Sequence, residues 1–322
     1  MIAKSAISLI ALLCAFTAAL AQTYPSQPVR IFHNYAPGGG VDVTLRVLAQ
    51  KLTETGWPQV IVENRPSAAG TLASIATKQA RPDGHTLLLA DLTSHAVSVS
   101  MVPDLQYDPI KDFAPITLLW TFPSILAVPA DHPANSVKEL VDFAGKRPGG
   151  LSYASQGPGS GGHILGAMLQ KASGAPMTHV PYRGPAPAII DLVAGRVDFI
   201  FASYASLKQN VDSGKLKMPA ISSKQRLKDL PELPTMTDAG YREVYLDVWF
   251  GLAGPAGLPE PIVSTLRDRV LTLLHAQDMS DRISQQGWVL TTSTPDELRE
   301  LIRTEIVRVG RVLKDSAAGE GR

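Results

Sequence analysis

Two glycine-rich segments of the sequence contain the residue types of a binding site for a small anion. The first has PGGG at residues 37–40 and the second has QGPGSGG at residues 156–162, and each lies between an apolar run and an amphipathic helix pattern. Backbone N–H groups of such turns, together with the positive end of a helix dipole, favour a carboxylate or a phosphate. We therefore interpret the first glycine loop (residues 36–40) and the second glycine loop (residues 155–160) as candidate anion sites.

More specific glycine motifs do not fit these loops. A phosphate-binding P-loop requires a lysine after its last glycine, and none follows Gly40. A dinucleotide fingerprint requires G-x-G-x-x-G with an acidic residue about 20 positions later, and Glu63 alone is poor support. For either loop considered alone, a tight turn that binds no ligand remains an alternative. The repetition of the pattern favours two half-sites that face each other at the carboxyl ends of strands.

The helices and strands that must position these loops are predicted to form an α/β fold with parallel strands. Apolar runs of a few residues alternate with helical patterns along the chain. Near the C-terminus, Thr294 and Glu297 form a capping box ahead of a long helix. The apolar runs that predict strands are VRIFHNYA, QVIVENR, HTLLLADL, SILAVPA, LSYAS, MTHVPY, VDFIFAS, KMPAIS and VWFGLAGP.

The first 21 residues predict a secretory signal peptide. Lys4 precedes an apolar run from residue 6 to residue 20, and small residues surround Ala21, after which we expect cleavage. The run is shorter than the ~20 apolar residues of a membrane span, which favours cleavage over anchoring. The single cysteine of the sequence, Cys14, lies within this segment, so the mature chain has no disulfide.

The composition of the mature chain excludes several function classes. Since Lys4 is the one charged residue before position 22, the 30 basic and 29 acidic residues of the sequence become 29 of each. This balance disfavours nucleic acid, whose binding depends on Lys and Arg, and a polybasic membrane surface. His33 and His179 have no second ligand at metal spacing, so we expect no metal and no cofactor. The length suggests about two domains of ~150 residues.

Characteristic sequence blocks follow one another along essentially the whole mature chain, among them VRIFHNYAPGGGVDV, VIVENRPSAAG, YDPIKDFAPITLL, LSYASQGPGSGGH, HVPYRGPAPAIIDLVAGRVDFIF and WFGLAGPAGLP. Together these blocks resemble the Bug-type, TctC-like periplasmic solute receptors of tripartite tricarboxylate transporters. The resemblance implies a two-lobed periplasmic-binding-protein (Venus-flytrap) fold, type II-like, with crossover segments near 118–128 and 246–254. Lobe one is then expected at 22–122 with 246–322, and lobe two at 123–245.

The resemblance also implies a function. A receptor of this kind captures a small carboxylate in the interlobe cleft, through amides, hydroxyls and waters, and delivers it to the membrane components of a transporter. It implies a periplasmic monomer that is not an enzyme. The implied ligand-binding residues are Ala36, Gly38, Gly39, Gly40, Asp42, Ser94 and His95 in lobe one, and Ser155, Gln156, Gly157, Gly159, Ser160, His163, Ala202 and Ser203 in lobe two.

Some residues leave alternatives open. Before the glycines, this chain has Asn34, Tyr35, Ala36 and Pro37 where members of the family often have an aromatic residue followed by Pro-Ala. Asp42 would repel an anion, so a role in capping the helix and ordering the loop is the alternative to ligand contact. His163 is equally compatible with a structural cap. Many members carry an acidic residue near Ala202, and its absence here disfavours a simple amino-acid ligand.

Two other functions remain alternatives. A secreted hydrolase of small esters or amides would use Ser155 or Ser160 with a histidine, but Pro158 occupies the first glycine position of a G-x-S-x-G motif. A structural or adhesive exported protein would bind no ligand and would not change shape.

Overall fold

The computed structural model describes residues 24–227 and 229–320, with the side chains of all of these except 68 and 316–320. The expected signal peptide, residues 1–21 with cleavage after Ala21, lies outside the described residues. The strands are β1 (Val29–His33), β2 (Val60–Asn64), β3 (Thr86–Asp91), β4 (Phe113–Pro123), β5 (Ile125–Pro129), β6 (Leu151–Ser155), β7 (Met177–Pro181), β8 (Phe199–Ala202), β9 (Leu216–Ile221), β10 (Asp247–Pro255) and β11 (Val289–Leu290).

The strands form two sheets. The first has six strands in the order β11-β4-β10-β3-β1-β2, and the second has five in the order β7-β6-β8-β5-β9. Each of the nine predicted apolar runs contains a strand, whereas the apolar pattern predicts neither β4 nor the two-residue β11. The fold is therefore an α/β fold, as predicted, with one sheet built from both ends of the chain and the other from its middle.

The helices cover the faces of the two sheets. A 3-10 turn, Ala68–Gly70, follows β2, and a π-helical turn, Thr93–Val97, follows β3. The helices are α1 (Gly40–Glu54), α2 (Thr71–Lys78), α3 (Ser98–Met101), α4 (Val137–Lys146), α5 (Gly161–Ser173), α6 (Pro185–Val193), α7 (Tyr204–Asp212), α8 (Glu260–Leu274), α9 (Gln277–Gln285) and α10 (Pro295–Glu320).

Local sequence signals account for several helix boundaries. The buried face of α1 contains Leu45, Leu48 and Leu52, which recur at helical spacing. The capping box predicted for α10 is confirmed, because the Thr294 amide donates to Glu297 Oε2 at 2.8 Å and the Glu297 amide donates to Thr294 Oγ1 at 3.2 Å. Helix α10 therefore begins where the chain satisfies its own terminal N–H groups.

Parallel pairing brings the strand ends that carry turns to one edge of each sheet. In the first sheet β1 pairs in parallel with both β2 and β3, and in the second β6 pairs in parallel with both β7 and β8. The carboxyl ends of parallel strands lie together, and ligands of open α/β sheets bind there. Each sheet therefore presents three turns at one edge, and each set of three includes one glycine loop.

The two sheets are joined by two short passages that lie side by side. Only Ser124 separates β4 from β5, and the chain returns to the first sheet between β9 and β10. Ser222 connects both passages: Ser222 Oγ accepts from the Ser124 amide at 2.8 Å and donates to the carbonyl of Leu246 at 3.0 Å. The amide of Ser222 also donates to the carbonyl of Ser124 at 2.8 Å. The hydrogen bonds of one side chain thus hold the two passages together.

Helix α10 contacts both halves of the molecule, the first built around the six-stranded sheet and the second around the five-stranded sheet. It packs against the π-helical turn and α3 of the first half, and against α5 of the second. Its Asp315 forms an ion pair with Lys171 of α5, with 2.6 Å between Oδ2 and Nζ. The C-terminal helix thus links the two halves through contacts with both.

Candidate functional site

The first glycine loop is held by the buried carboxylate of Asp42, which is only 2% exposed. Asp42 accepts hydrogen bonds from the Gly38 amide at 2.9 Å, from Asn64 Nδ2 at 2.7 Å and from Arg46 Nε at 3.1 Å, and His33 Nε2 lies 3.0 Å from Oδ1. Burial opposes its ionisation, but the hydrogen bonds from Arg46, Gly38 and Asn64 lower the pKa of Asp42 far below its usual range. The carboxylate therefore stays charged and fixes the loop.

The start of helix α1 faces this loop without a side-chain cap. The N-cap residue Gly39 has an extended backbone, and no side chain among the described residues caps it. Residues 36–40 are all exposed. The free N–H groups of a first helical turn, at the positive end of the helix dipole, suit a carboxylate.

An aromatic cluster supports the other side of the first loop. A side-chain carbon at Gly40 would lie 3.4 Å from Trp288 Cζ2, at van der Waals distance, so the helix starts directly beside this ring. Trp288 stacks on Trp120, with 5.6 Å between ring centroids, and on Phe122 at 6.1 Å. Phe250 lies 6.3 Å from Trp288. The loop is thus backed by rigid apolar rings.

The second glycine loop is held by neutral groups. Ser155 Oγ lies 2.6 Å from His179 Nε2 and accepts from the Gly157 amide at 3.1 Å. His163 Nδ1 accepts from the Gly159 amide at 3.0 Å, and its ring stacks on His179 with 4.1 Å between centroids. Burial, with a further contribution from His163, lowers the pKa of His179 to about 4. The imidazole of His179 is therefore uncharged at neutral pH.

Helix α5 begins with a side-chain cap that also shapes the second loop. Ser160 Oγ accepts from the His163 amide at 3.3 Å and donates to the carbonyl of Gly157 at 2.7 Å. Gln156 Nε2 donates to the carbonyl of Phe201 in β8 at 2.9 Å. The loop is therefore tied both to its own helix and to the neighbouring strand.

The second loop contacts the first half of the molecule directly. Gly159 has a φ of 75°, and a side-chain carbon there would overlap Met101 and lie 2.7 Å from Val97 Cγ1. On another side, a side-chain carbon at Gly287 would lie 3.0 Å from Cβ of Tyr204, the first residue of α7. The two halves thus meet at two places near the strand edges that carry the glycine loops.

The remaining residues that the sequence predicts for the site lie in other surroundings than the glycine loops. His95 is fully buried, its ring packs on Phe113 and Trp249, and burial lowers its pKa to about 3. Ser94 Oγ lies 3.0 Å from His95 Nδ1, within the π-helical turn. Ala202 is buried at the end of β8, and Ser203 Oγ donates to Ser206 Oγ at 3.0 Å. The hydroxyl groups of Ser94 and Ser203 and the Nδ1 atom of His95 thus have partners within the protein.

Several residues next to the loops were not among the predicted site residues. Asn64 binds Asp42 from the end of β2, and Trp288 and Gly287 approach from the C-terminal part of the chain. Asn34, at the end of β1, lies against Gly70. Only Asn34 had a signal in the sequence, since it departs from the family pattern, whereas the others reach the loops through the order of the strands.

Outside the glycine loops, the described residues offer little that could do chemistry. A shallow depression of about 210 Å³ at the amino ends of β1 and β3 is lined by Gln27, Pro28, Arg30, Arg81, Asp83, His85 and Thr86. Its charged groups are paired, with Arg81 and His85 on Asp83 and Arg30 on Glu63. Within residues 24–320, no three His, Cys, Asp or Glu side chains gather as metal ligands. Nor does any described helix combine the length and apolar character needed to cross a bilayer.

Two sheets joined by two passages, with ligand-type loops at adjoining edges, define a two-lobed periplasmic-binding-protein fold of the Venus-flytrap, type II-like class. Residues 44–317 match the tripartite tricarboxylate transporter family receptor, TctC. The chain belongs to this family of solute receptors.

Individual relatives agree with this assignment. Protein BugT of Bordetella pertussis is 31% identical over 299 residues, which are 92% of each chain. The structure of MatC from Rhodopseudomonas palustris with bound malate has 31% identity and a TM-score of 0.75, over 90% of this chain and 100% of that one. The structure of R. palustris Rpa4515 with adipate has 27% identity and a TM-score of 0.79, over 90% and 97%.

Proposed function

We propose that this protein is an extracytoplasmic receptor that captures a small carboxylate-bearing ligand between the two glycine loops and delivers it to the membrane components of a tripartite tricarboxylate transporter. The lobes of this proposal are residues 22–122 with 246–322, and residues 123–245. Export through a signal peptide cleaved after Ala21, and action as a periplasmic monomer, belong to the same proposal. The observation that carries it is the position of one glycine loop at the edge of each sheet, beside the contacts that join the two halves.

The energetics favour a ligand held by both loops. Two or three hydrogen bonds to a charged group contribute roughly 3–9 kcal/mol, and association costs at least ~4 kcal/mol in lost freedom. One loop alone would therefore contribute at most about 5 kcal/mol net, which is an affinity of a few tenths of a millimolar. Donors from both loops together can reach the ~8 kcal/mol of a micromolar receptor.

The bound molecules of two structural neighbours support the ligand class. Malate is bound to MatC and adipate to Rpa4515, and both molecules are dicarboxylates. The exposed first turn of α1, which has no side-chain cap, suits the same chemical group in this protein. We therefore take a carboxylate as the group that the loops hold.

Thermal unfolding with a panel of dicarboxylates, hydroxy acids and aromatic acids tests the proposal. A true ligand at a hundredfold excess over its dissociation constant is expected to stabilise the protein by about 2.7 kcal/mol, without being consumed. X-ray scattering is expected to show a smaller radius of gyration with that ligand, because the lobes close around it. A panel in which no acid stabilises the protein would contradict the proposal.

One observation favours the hydrolase alternative: Ser155 Oγ lies 2.6 Å from His179 Nε2, as in a nucleophile and base pair. Three features weigh against it. Ser155 is completely buried, its hydroxyl already binds Gly157, and an imidazole with a pKa of about 4 is a weak general base at neutral pH. Incubation of the wild type and Ser155→Ala with small esters and amides is expected to give no turnover in either. Turnover that Ser155→Ala abolishes would support the hydrolase.

A further inference from the structure

Asn34 has a buried oxygen atom without a hydrogen-bond donor. It follows β1 directly and comes two residues before the first glycine loop. Its Oδ1 is covered from solvent and accepts no hydrogen bond from any described residue. A buried acceptor without a donor costs free energy, so such atoms are rare in folded proteins, and ligand sites are one place where they occur.

The surroundings of Asn34 fix the place of its amide. A side-chain carbon at Gly70 would overlap Asn34 Nδ2 and would lie 3.1 Å from Cβ of Ser94. The amide therefore lies where the turns after β1, β2 and β3 meet. The turn after β2 is built for this approach, since Ala69 and Gly70 have φ values of 53° and 69°, and a left-handed alanine is an uncommon and strained conformation.

The carboxylates near Asn34 already accept hydrogen bonds from other residues. Asp91 Oδ2 accepts from Tyr35 Oη at 2.6 Å, Asp91 Oδ1 accepts from the Ser94 amide at 2.7 Å, and Asp42 is held by Arg46 and Asn64. His95 Nε2 also has no partner, but its ring lies in the core against Phe113. The amide of Asn34 is thus an uncharged hydrogen-bonding group, beside a loop whose own groups are N–H donors.

From these contacts we infer that Asn34 accepts a hydrogen bond from a hydroxyl group of the ligand, which makes the ligand a hydroxy-substituted carboxylic acid. The inference rests on the proposed function, because the glycine loops hold the carboxylate. The terminal torsion of asparagine is broad, so the amide can turn toward a donor. A ligand ammonium group would require a charged partner when buried, and Asp42 and Asp91 are occupied.

Calorimetry with pairs of acids that differ by one hydroxyl group tests the inference. The pairs are lactate and propionate, malate and succinate, and citrate and tricarballylate, with aspartate as the ammonium counterpart of malate. The wild type is expected to bind the hydroxy acid of its best pair at least about tenfold more tightly, since a site built to bind a hydroxyl rejects the analogue without it. Asn34→Ala is expected to reduce that preference to less than about threefold.

The same variant supplies its own folding control. Asn34→Ala removes the amide without adding volume, so its affinity for the acid without the hydroxyl is expected to stay within about threefold of the wild type. The matched control is Asn135→Ala, which removes an exposed amide in the second half of the molecule and is expected to keep the full preference.

Three results would overturn the inference. They are equal wild-type affinity for both acids of every pair that binds, an unchanged preference in Asn34→Ala, and tighter binding of aspartate than of malate. In each case a carboxylate still binds, so the proposed receptor function survives while the hydroxyl preference fails. Binding of none of the acids would contradict both.

Discussion

The two glycine loops follow the same strand, turn and helix plan, but they are fixed by opposite kinds of chemistry. The first is held by a charged group, the buried carboxylate of Asp42 with Arg46 beside it. The second is held by neutral groups, the Ser155 hydroxyl and the imidazoles of His163 and His179. In the receptor that we propose, one anion-binding loop is therefore ordered by a compensated negative charge and the other by groups that carry no charge.

The two loops also differ in their exposure to solvent. Residues 36–40 are exposed, whereas Gly157 and Gly159 are buried and Gly159 packs against Val97 and Met101. The first loop is thus the more accessible to an arriving ligand, and the second is fitted to its neighbours in the other half. A substitution at Gly159 would test this packing as well as any ligand contact, because its positive φ and close neighbours leave no room for a side chain.

Among the substitutions considered, removal of the Asp42 carboxylate is expected to lower the free energy of unfolding most. Asp42→Ala leaves the Gly38 amide, Asn64 and His33 without their acceptor and frees the charge of Arg46, whose side chain is 46% exposed. Water can solvate that arginine, so we expect the free energy of unfolding to fall by about 2–3 kcal/mol. Urea denaturation measures the change.

A matched control removes an exposed carboxylate. Asp142 pairs with Lys138 on the surface of α4 at 2.6 Å, and because solvent screens this pair, Asp142→Ala is expected to leave the free energy of unfolding almost unchanged. A loss in Asp42→Ala as small as that of the control would remove the contrast between the two loops.

The second-largest effect is expected in the pH dependence of stability, which differs between the groups that hold the two loops. Folding lowers the pKa of His179 from 6.5 to about 4, so between these values the unfolded chain binds more protons than the folded one. The stability that neutral His179 provides is complete above pH 6.5 and is lost as the pH falls toward 4. Asp42, whose pKa lies lower still, keeps its charge over this range.

A substitution at His179 isolates that response. We expect the wild type to lose about 1–2 kcal/mol more than His179→Gln between pH 7 and pH 4.5, when the free energy of unfolding is measured by denaturation at both values. His163 stacks on His179 and contributes to its lowered pKa, so the difference between the two proteins reports the response of this stacked pair. Parallel pH profiles would mean that the second loop does not depend on a neutral imidazole.

The third effect concerns the helix caps. Ser160 caps α5, whereas α1 has Gly39 in the equivalent place with no side-chain cap. Ser160→Ala is expected to lower the free energy of unfolding by about 1 kcal/mol. Gly39→Ser is expected to change it by only a few tenths, but to weaken carboxylate binding, because the new hydroxyl competes for the N–H groups of the first turn. Unaltered affinity in Gly39→Ser would argue that these N–H groups do not hold the ligand.

The smallest effect is expected far from the loops. Lys171 and Asp315 join α5 to α10 across the two halves, but their side chains are 58% and 45% exposed. Lys171→Ala is therefore expected to change stability by less than about 0.5 kcal/mol and to leave affinity unaltered, as measured by denaturation and calorimetry. A large effect on affinity would mean that the halves are coupled through the surface as well as through the loops.

The sequence predicted those parts of the molecule that depend on local patterns. The α/β class, nine strands and the capping box of α10 follow from apolar spacing and end signals that lie within a few residues of each other. Asn64 reaches Asp42 from 22 residues away, because β1 lies beside β2. Trp288 reaches Gly40 through the packing of the C-terminal elements. Such contacts depend on strand order, and no spacing in the chain encodes them.

The pairing of both passages through Ser222 has a mechanical consequence. The segments at Ser124 and Leu246 are bonded to the same side chain, so sliding one past the other would break these hydrogen bonds, whereas a rotation of the halves about this residue would keep them. In the receptor that we propose, the angle between the halves at this residue would then differ between the loaded and the empty protein.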